Sequence, residues 1–366
     1  MSPKVFRIIT VLFVFSFYSL PILQAKDGKS FEVSLRSVSG QSAVANNALD
    51  IEKARDTNNL LKGGLAFQSV PQYSQFSGVG ALLSLSNESF VWGWKLSLDV
   101  AQLTGTEGQI MTRDYFATSI QGDTFSTKSD SLLTLSSNRL NIANVGYTAD
   151  IYAFRSGGVA LQKLGIRLGG RIRHDKAILG DSQTFTGSTL EVTGQSPVYL
   201  PMNLDYLNVQ TINYYENALE LQAGISYRYS VSSSFSLDAA LTGIVGTGIG
   251  NYVHNSTGVI QVKNLVMPAK ANMEGDTTLT RSGLLGEVGL RYDLNDRFGL
   301  RLSYQSLQMQ SKVTSSSVKD PDSSPMLALL GGDLLPYIID HADPMGSNPA
   351  NSNRLQTISL ALHISF

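Results

Sequence analysis

Residues 354–366 read RLQTISLALHISF, and one rhythm runs through them. Ile358, Leu360, Leu362, Ile364 and Phe366 alternate with Thr357, Ser359, Ala361, His363 and Ser365. A period of two puts successive side chains on opposite faces of an extended chain, so the stretch reads as a strand with one apolar and one polar face. The rhythm recurs upstream. Trp92, Trp94, Leu96, Leu98 and Val100 alternate with Gly93, Lys95, Ser97, Asp99 and Ala101. Leu164, Ile166, Leu168 and Ile172 alternate with Gly165, Arg167, Gly169, Arg171 and Arg173. Leu219, Leu221, Ile225 and Tyr227 alternate with Glu220, Gln222, Ser226 and Arg228.

Ten candidate strands follow, over residues 29–39, 76–86, 89–102, 138–154, 159–174, 214–230, 234–247, 281–293, 297–310 and 354–366. Most are longer than the roughly five or six residues usual in globular proteins and suit the roughly 9–11 residues of a tilted membrane-crossing strand. Twelve strands is the alternative, because 64–70 and 184–192 also have strand character. Connections alternate between tight turns, at 87–88, 155–158, 231–233 and 294–296, and long segments, at 40–75, 103–137, 175–213, 248–280 and 311–353. Short turns on one side and long loops on the other are expected of a transmembrane up-and-down antiparallel barrel, the short ones being periplasmic. The tight turns also set registers: Asp150 opposite Lys163, Gly80 opposite Lys95 and Asp293 opposite Arg297, with polar residues kept on one face of each hairpin. Phe90, Trp92, Trp94, Tyr227, Tyr229, Phe235, Tyr292, Phe298 and Phe366 crowd the short-turn end, where an interfacial girdle belongs.

Composition agrees. Charged residues are 16% of the 366, against about 25% in average soluble domains. The mean hydropathy of +0.00 averages over apolar and polar residues in alternation. A net charge of -1 and the absence of basic runs give nucleic acid no footing. No cysteine is present, which excludes a disulfide framework, a thiol nucleophile and a lipidated cysteine. Residues 1–25 read as a secretory signal peptide: Lys4 and Arg7, an apolar run from Ile8 to Leu23, then Ala25 at a cleavage site. Residues 26–366 would then form the barrel domain.

In this pattern the chain resembles bacterial outer-membrane β-barrel, porin-like proteins, without a motif of one particular family. The resemblance implies an outer-membrane location in a Gram-negative-type bacterium and contact with outer-membrane lipid. It also implies that Ile358, Leu360, Leu362, Ile364 and Phe366 act as the C-terminal signal read by periplasmic chaperones and the barrel assembly machinery.

Parity assigns Lys95, Asp99, Asp150, Lys163, Arg167, Arg171, Arg173, Glu216, Glu220, Arg228, Asp238, Glu287, Arg291 and Arg301 to the lumen. Lys163, Arg167, Arg171 and Arg173 form a basic stripe on one strand, with Glu216 and Glu220 on the next. Such a lining suits a narrow porin-like channel for small polar or ionic solutes. A ladder of ion pairs filling a narrow barrel is the other reading. The alternative is a barrel that anchors surface loops for adhesion or interaction with a surface ligand, and a second alternative is an outer-membrane hydrolase.

An enzymatic role is not expected. His174-Asp175 and Asp340-His341 are the only adjacent Asp–His neighbours, and the Asp-x-His motif of omptin proteases is absent. His363-Ile364-Ser365 resembles the His-x-Ser dyad of lipid A deacylases but falls at the periplasmic end. No metal-ligand spacing or cofactor motif is present, and the glycines of 246–250 lack a phosphate-loop lysine. Residues 47–62 have helical spacing and could be a plug inside the barrel or decoration on a loop, and the apolar 327–339 could constrict the pore or meet a partner.

Overall fold

The computed structural model describes residues 28–48, 50, 67–69, 75–105, 108–120, 123–135, 137–156, 161–193, 202–262, 265–317 and 350–366. The signal-peptide segment, 327–339 and Asp340-His341 lie outside the described residues.

Thirteen strands form one antiparallel sheet: β1 (Lys29–Gln41), β2 (Phe67–Ser69), β3 (Phe76–Glu88), β4 (Trp92–Gly105), β5 (Gly108–Ile120), β6 (Asp123–Leu135), β7 (Ser137–Ser156), β8 (Leu161–Thr193), β9 (Met202–Ser230), β10 (Phe235–Val262), β11 (Leu265–Asp293), β12 (Phe298–Ser316) and β13 (Asn351–Ser365). Ten of them close a ring in the order β1, β3, β4, β7, β8, β9, β10, β11, β12, β13, with β13 pairing back onto β1. All ten sequence-read strands are in that ring. The two extra candidates are not additional barrel strands: 184–192 continues β8, and β2 pairs with β5. The long connections are built largely of strand. The 103–137 segment contains the β5–β6 hairpin, which pairs onto the far end of β8.

Faces follow the sequence parity, and registers do not. Asp150 pairs with Arg167, not Lys163; Lys95 pairs with Ser86, not Gly80; Asp293 pairs with Gly299, not Arg297. These are slips of four, six and two residues, all even, so each side chain keeps its face. The turns hold more residues than expected because side chains satisfy their backbone. Ser89 Oγ accepts from the amides of Val91 and Trp92, Ser232 Oγ from Ser234 and Phe235, and Asn295 Oδ1 from Arg297 and Phe298. Between β7 and β8 a bulge at Tyr152/Phe154 takes one residue back from the shift at the turn and so keeps the net slip even.

The exterior carries an apolar belt. Leu35, Ile166, Leu168, Ile172, Leu221, Ile225, Leu241, Leu284, Leu302, Ile358 and Leu360 are exposed while Ser34, Arg173, Glu216 and Glu220 are buried. That inversion suits a wall bathed in hydrocarbon, where every backbone polar group must be paired within the closed sheet. Phe90, Trp92, Tyr292 and Phe298 ring the short-turn end. Farther along, the inversion ends. On β9 the inward residues change from Glu216 and Glu220 to Ile212 and Tyr214, while Asn213, Tyr215 and Asn217 face out. On β12 Leu307, Met309 and Val313 turn inward, and Gln308, Gln310 and Lys312 outward. Beyond this level the molecule is packed as it would be in water. β8 to β11, at 28 to 33 residues, continue well past the belt.

Candidate functional site

The interior has three levels. Nearest the short turns is a cavity of about 800 Å³, reaching Asn87, Glu88, Asp296 and Arg297. Charge pairs cross it. Arg301 donates to Asp238 at 2.5 Å, to Glu287 at 3.1 Å and to Glu32 at 3.3 Å. Arg167 holds Asp150 with two bonds of 2.8 and 2.9 Å and lies 3.6 Å from Glu287. Lys163 donates to Glu88 at 2.9 Å, and Arg228 pairs with the same carboxylate. Lys95 acts electrostatically on Glu32 and Glu287. Arg291 donates to Asp293 at 2.7 Å.

Above the cavity lies a denser layer centred on Arg281, whose side chain is 0% exposed, as are those of Asp175, Glu216 and Glu220. Arg281 reaches Asp175 at 3.0 Å, Glu220 at 3.1 Å, and Glu216. Arg171 pairs with Glu220, Arg173 with Asp175 at 2.6 Å, and Arg36 with Asp99, to which Asn144 also donates. The third level is apolar: Val38, Phe76, Leu103, Leu140, Leu179, Ile212, Tyr214, Tyr252, Leu307 and Met309 form one buried cluster.

A helix over 43–48 completes that level. Ser42 begins it, its hydroxyl accepting from Ala45 N. Val44, Ala45 and Ala48 join the buried cluster, and Asn47 Nδ2 donates to Glu216 at 2.6 Å and to Ser311 at 3.2 Å. Asn351 Nδ2 donates to both Asn47 and Asp50. Of the 47–62 segment, 49 and 51–62 lie outside the described residues; 47 and 48 belong to a helix that begins at 43 and packs inside the barrel, as in the plug reading.

Two glycines make the ion pairs possible. Gly246 stands in register between Glu220 and Arg281, and a Cβ there would lie 2.9 Å from Glu220 Cγ. Gly289 stands beside Asp238, where a Cβ would lie 2.9 Å from both Asp238 Oδ1 and Arg301 Nε. The missing side chains are the space across which these partners meet.

All fourteen residues assigned to the lumen face inward: Lys95, Asp99, Asp150, Lys163, Arg167, Arg171, Arg173, Glu216, Glu220, Arg228, Asp238, Glu287, Arg291 and Arg301. The basic stripe is not a bare cationic wall, because Lys163, Arg167, Arg171 and Arg173 each have a carboxylate. Sequence reading missed Glu32, Arg36 and Arg281, and the inward role of Asp175. Arg281 was accessible to it, since it shares the parity of Glu287 and Arg291 on β11. In the sequence Asp175 pairs with its neighbour His174, but adjacent strand residues face opposite ways. His174 points outward, with Nδ1 2.7 Å from Asn217 Oδ1, so no dyad forms. Ile358, Leu360 and Leu362 line the outer face of β13, Ile364 pairs with Phe31 and Phe298, and Phe366 N donates to Lys29 O.

No protein-family model matches the chain, and no curated protein does. Among solved structures it is similar to the outer membrane protease OmpT from Escherichia coli, at 10% identity and a TM-score of 0.39, over 95% of this chain and 100% of the protease. It is similar to the TodX monoaromatic hydrocarbon channel at 10% identity and a TM-score of 0.21, over 93% of this chain and 91% of the channel. A Pseudomonas aeruginosa FadL homologue gives 10% identity and a TM-score of 0.24, with the same two coverages. The ring closure and the inverted belt make this chain a β-barrel of outer-membrane architecture on its own strands.

Proposed function

We propose that the protein sits in the outer membrane of a Gram-negative-type bacterium as a sealed barrel that holds a long β-wall at the cell surface, and that it works there by binding a partner or surface ligand. The observation that carries this is the narrowing of the interior: above the 800 Å³ cavity, among the described residues, the Arg281 layer and the apolar level with its inserted helix leave a space of about 60 Å³ beside Arg36, Asp99, Arg173 and Leu307. The length of β8 to β11 supports it. Crossing the membrane needs roughly 9–11 residues of each strand, and the 16 residues from Met202 to Asn217 lie beyond the belt on β9 alone. At about 3.3 Å per residue such an extension runs on the order of 50 Å along the strand. The reading is non-enzymatic. Delivery through periplasmic chaperones and the assembly machinery, with Ile358 to Phe366 as the recognised strand, belongs to the same proposal.

A narrow channel for small polar or ionic solutes is the second reading, favoured by the charged cavity at the short-turn end. It requires the Arg281 layer to part. Planar-bilayer recordings of refolded protein decide between them. The sealed barrel gives no steady conductance. A stable ohmic conductance sinks it and supports the channel.

A further inference from the structure

On the outer wall just beyond the apolar belt, the charged side chains are of one sign. Arg139 on β7, Lys176 on β8, Lys312 on β12 and Arg354 on β13 all face out. Carboxylates at the belt level of the described wall, including Glu32, Asp99, Asp150, Glu216, Glu220 and Glu287, face in. Among the described side chains, outward carboxylates first occur at Asp276 and Glu274, on β11 beyond Thr280, the register partner of Lys312.

Two of these cations stand on the neighbouring strands β7 and β8, beside β9. Lys176 is in register with Asn141 on one side and Tyr215 on the other, and its Nζ lies 4.7 Å above the Tyr215 ring. His174, two residues nearer the membrane, is held by Asn217. Arg139 pairs with Ile178 and so stands diagonal to Lys176, a relation that leaves about 7–8 Å between Cβ atoms, close enough for one small anion to meet both side chains. Directly below are Val145, Ile172 and Leu219, in register across the three strands and, with Ile172 and Leu219 at 62% and 57% exposure, the top of the lipid-facing belt here. The group therefore sits at headgroup depth, with a guanidinium fork, an ammonium, an imidazole, two amides and a phenol facing outward.

We propose that this face binds the phosphate and adjoining sugar of a phosphorylated glycolipid in the outer leaflet. Arg139 and Lys176 supply charge-assisted hydrogen bonds to phosphate oxygens. Asn141, Asn217 and the Tyr215 hydroxyl suit sugar hydroxyls. The identity of the lipid as a glycolipid rests on the outer-membrane reading, which cell fractionation checks separately.

The test uses full-length refolded protein in detergent, titrated with diphosphoryl lipid A, with its dephosphorylated counterpart and with inorganic phosphate, and followed by thermal stabilisation. The parent should bind the phosphorylated lipid about tenfold or more tightly than the dephosphorylated one, and Arg139→Gln/Lys176→Gln should lose that preference. Lys312→Gln/Arg354→Gln, on the opposite wall, should keep it to within about twofold. Unchanged heat-modifiable gel mobility establishes that both variants fold. Equal affinity for the two lipids, or full retention in Arg139→Gln/Lys176→Gln, overturns the site. Displacement of the lipid by millimolar inorganic phosphate overturns its assignment to a lipid.

Discussion

Replacing Arg281 by methionine tests whether the ion-pair layer is a seal or a loose lining. Arg281 is fully buried and serves three carboxylates. After Arg281→Met, Glu220 keeps Arg171 and Asp175 keeps Arg173, while Glu216 keeps Asn47 but loses its cation. Stranding one buried charge costs about 3–5 kcal/mol. Losing one bond each at Glu220 and Asp175 adds about 1 kcal/mol apiece, so a total of about 5–7 kcal/mol is expected. The sharper expectation is a change of sign. Glu216→Gln in the parent weakens Arg281's hold and should cost about 1–2 kcal/mol. In the Arg281→Met background it removes the stranded charge and should return about 3 kcal/mol. Urea titrations in lipid vesicles, read by Trp92 and Trp94, the only two tryptophans, give all four stabilities. If Glu216→Gln shifts both backgrounds equally and in the same direction, the two residues are uncoupled and the layer is not the closed network described.

Leu168→Arg places a cation in the lipid belt, where about 2–4 kcal/mol is expected near the midplane, whereas Thr148→Arg, pointing into the cavity, should cost clearly less in the same titrations. Gly169 is unsuitable as the inward partner of that comparison, because a Cβ there would lie 2.5 Å from Tyr147 O. Gly289→Val, where a Cβ would meet only the side chains of Arg301 and Asp238, should part that pair and slow folding into vesicles; wild-type stability would refute the spacer role. The chain has no cysteine, so Ala45→Cys, at a position 0% exposed, reports on the inserted helix: maleimide labelling should be slow, and fast after Val44→Asp.

The fold was legible because the rhythm of two survives every local irregularity. Ten strands and their faces could be read from stretches such as Leu164 to Ile172 or Ile358 to Phe366 without knowing a single partner. Registers could not, because they depend on how many residues a turn accommodates, and that was set by Ser89, Ser232 and Asn295 bonding to their own backbones. The interior was half legible. Parity identified which charges face in but not which of them meet, since Arg281 touches residues 61, 65 and 106 positions away. Helical spacing places the start of the inserted helix four residues too late, although the cap is local, Ser42 Oγ accepting from Ala45 N; what the sequence hides is that Asn47 bonds to β9 and β12.

The three levels of the interior have one physical origin. Apolar side chains go wherever water is absent, and along the belt that is outside. Those strands therefore have few apolar side chains left for the lumen, so it must be wet, as in the 800 Å³ cavity, or filled by charges that neutralise one another, as around Arg281. Once β8 to β11 leave the belt, water lies outside, and with the parity unchanged the inward positions become apolar: Leu179, Ile212, Tyr214 and Tyr252 point in. Among the described residues the ion-pair layer stands at that change, where the wall does not yet supply a full apolar lining. β8 shows the change on a single face, where Arg173 and Asp175 point inward and the next inward side chains are Ala177 and Leu179. A barrel built this way closes at the outer boundary of the membrane as a consequence of strand length. Strands that stopped at the belt would have no apolar level to pack, and the helix over 43–48 would have nothing to bury Val44 and Ala48 against.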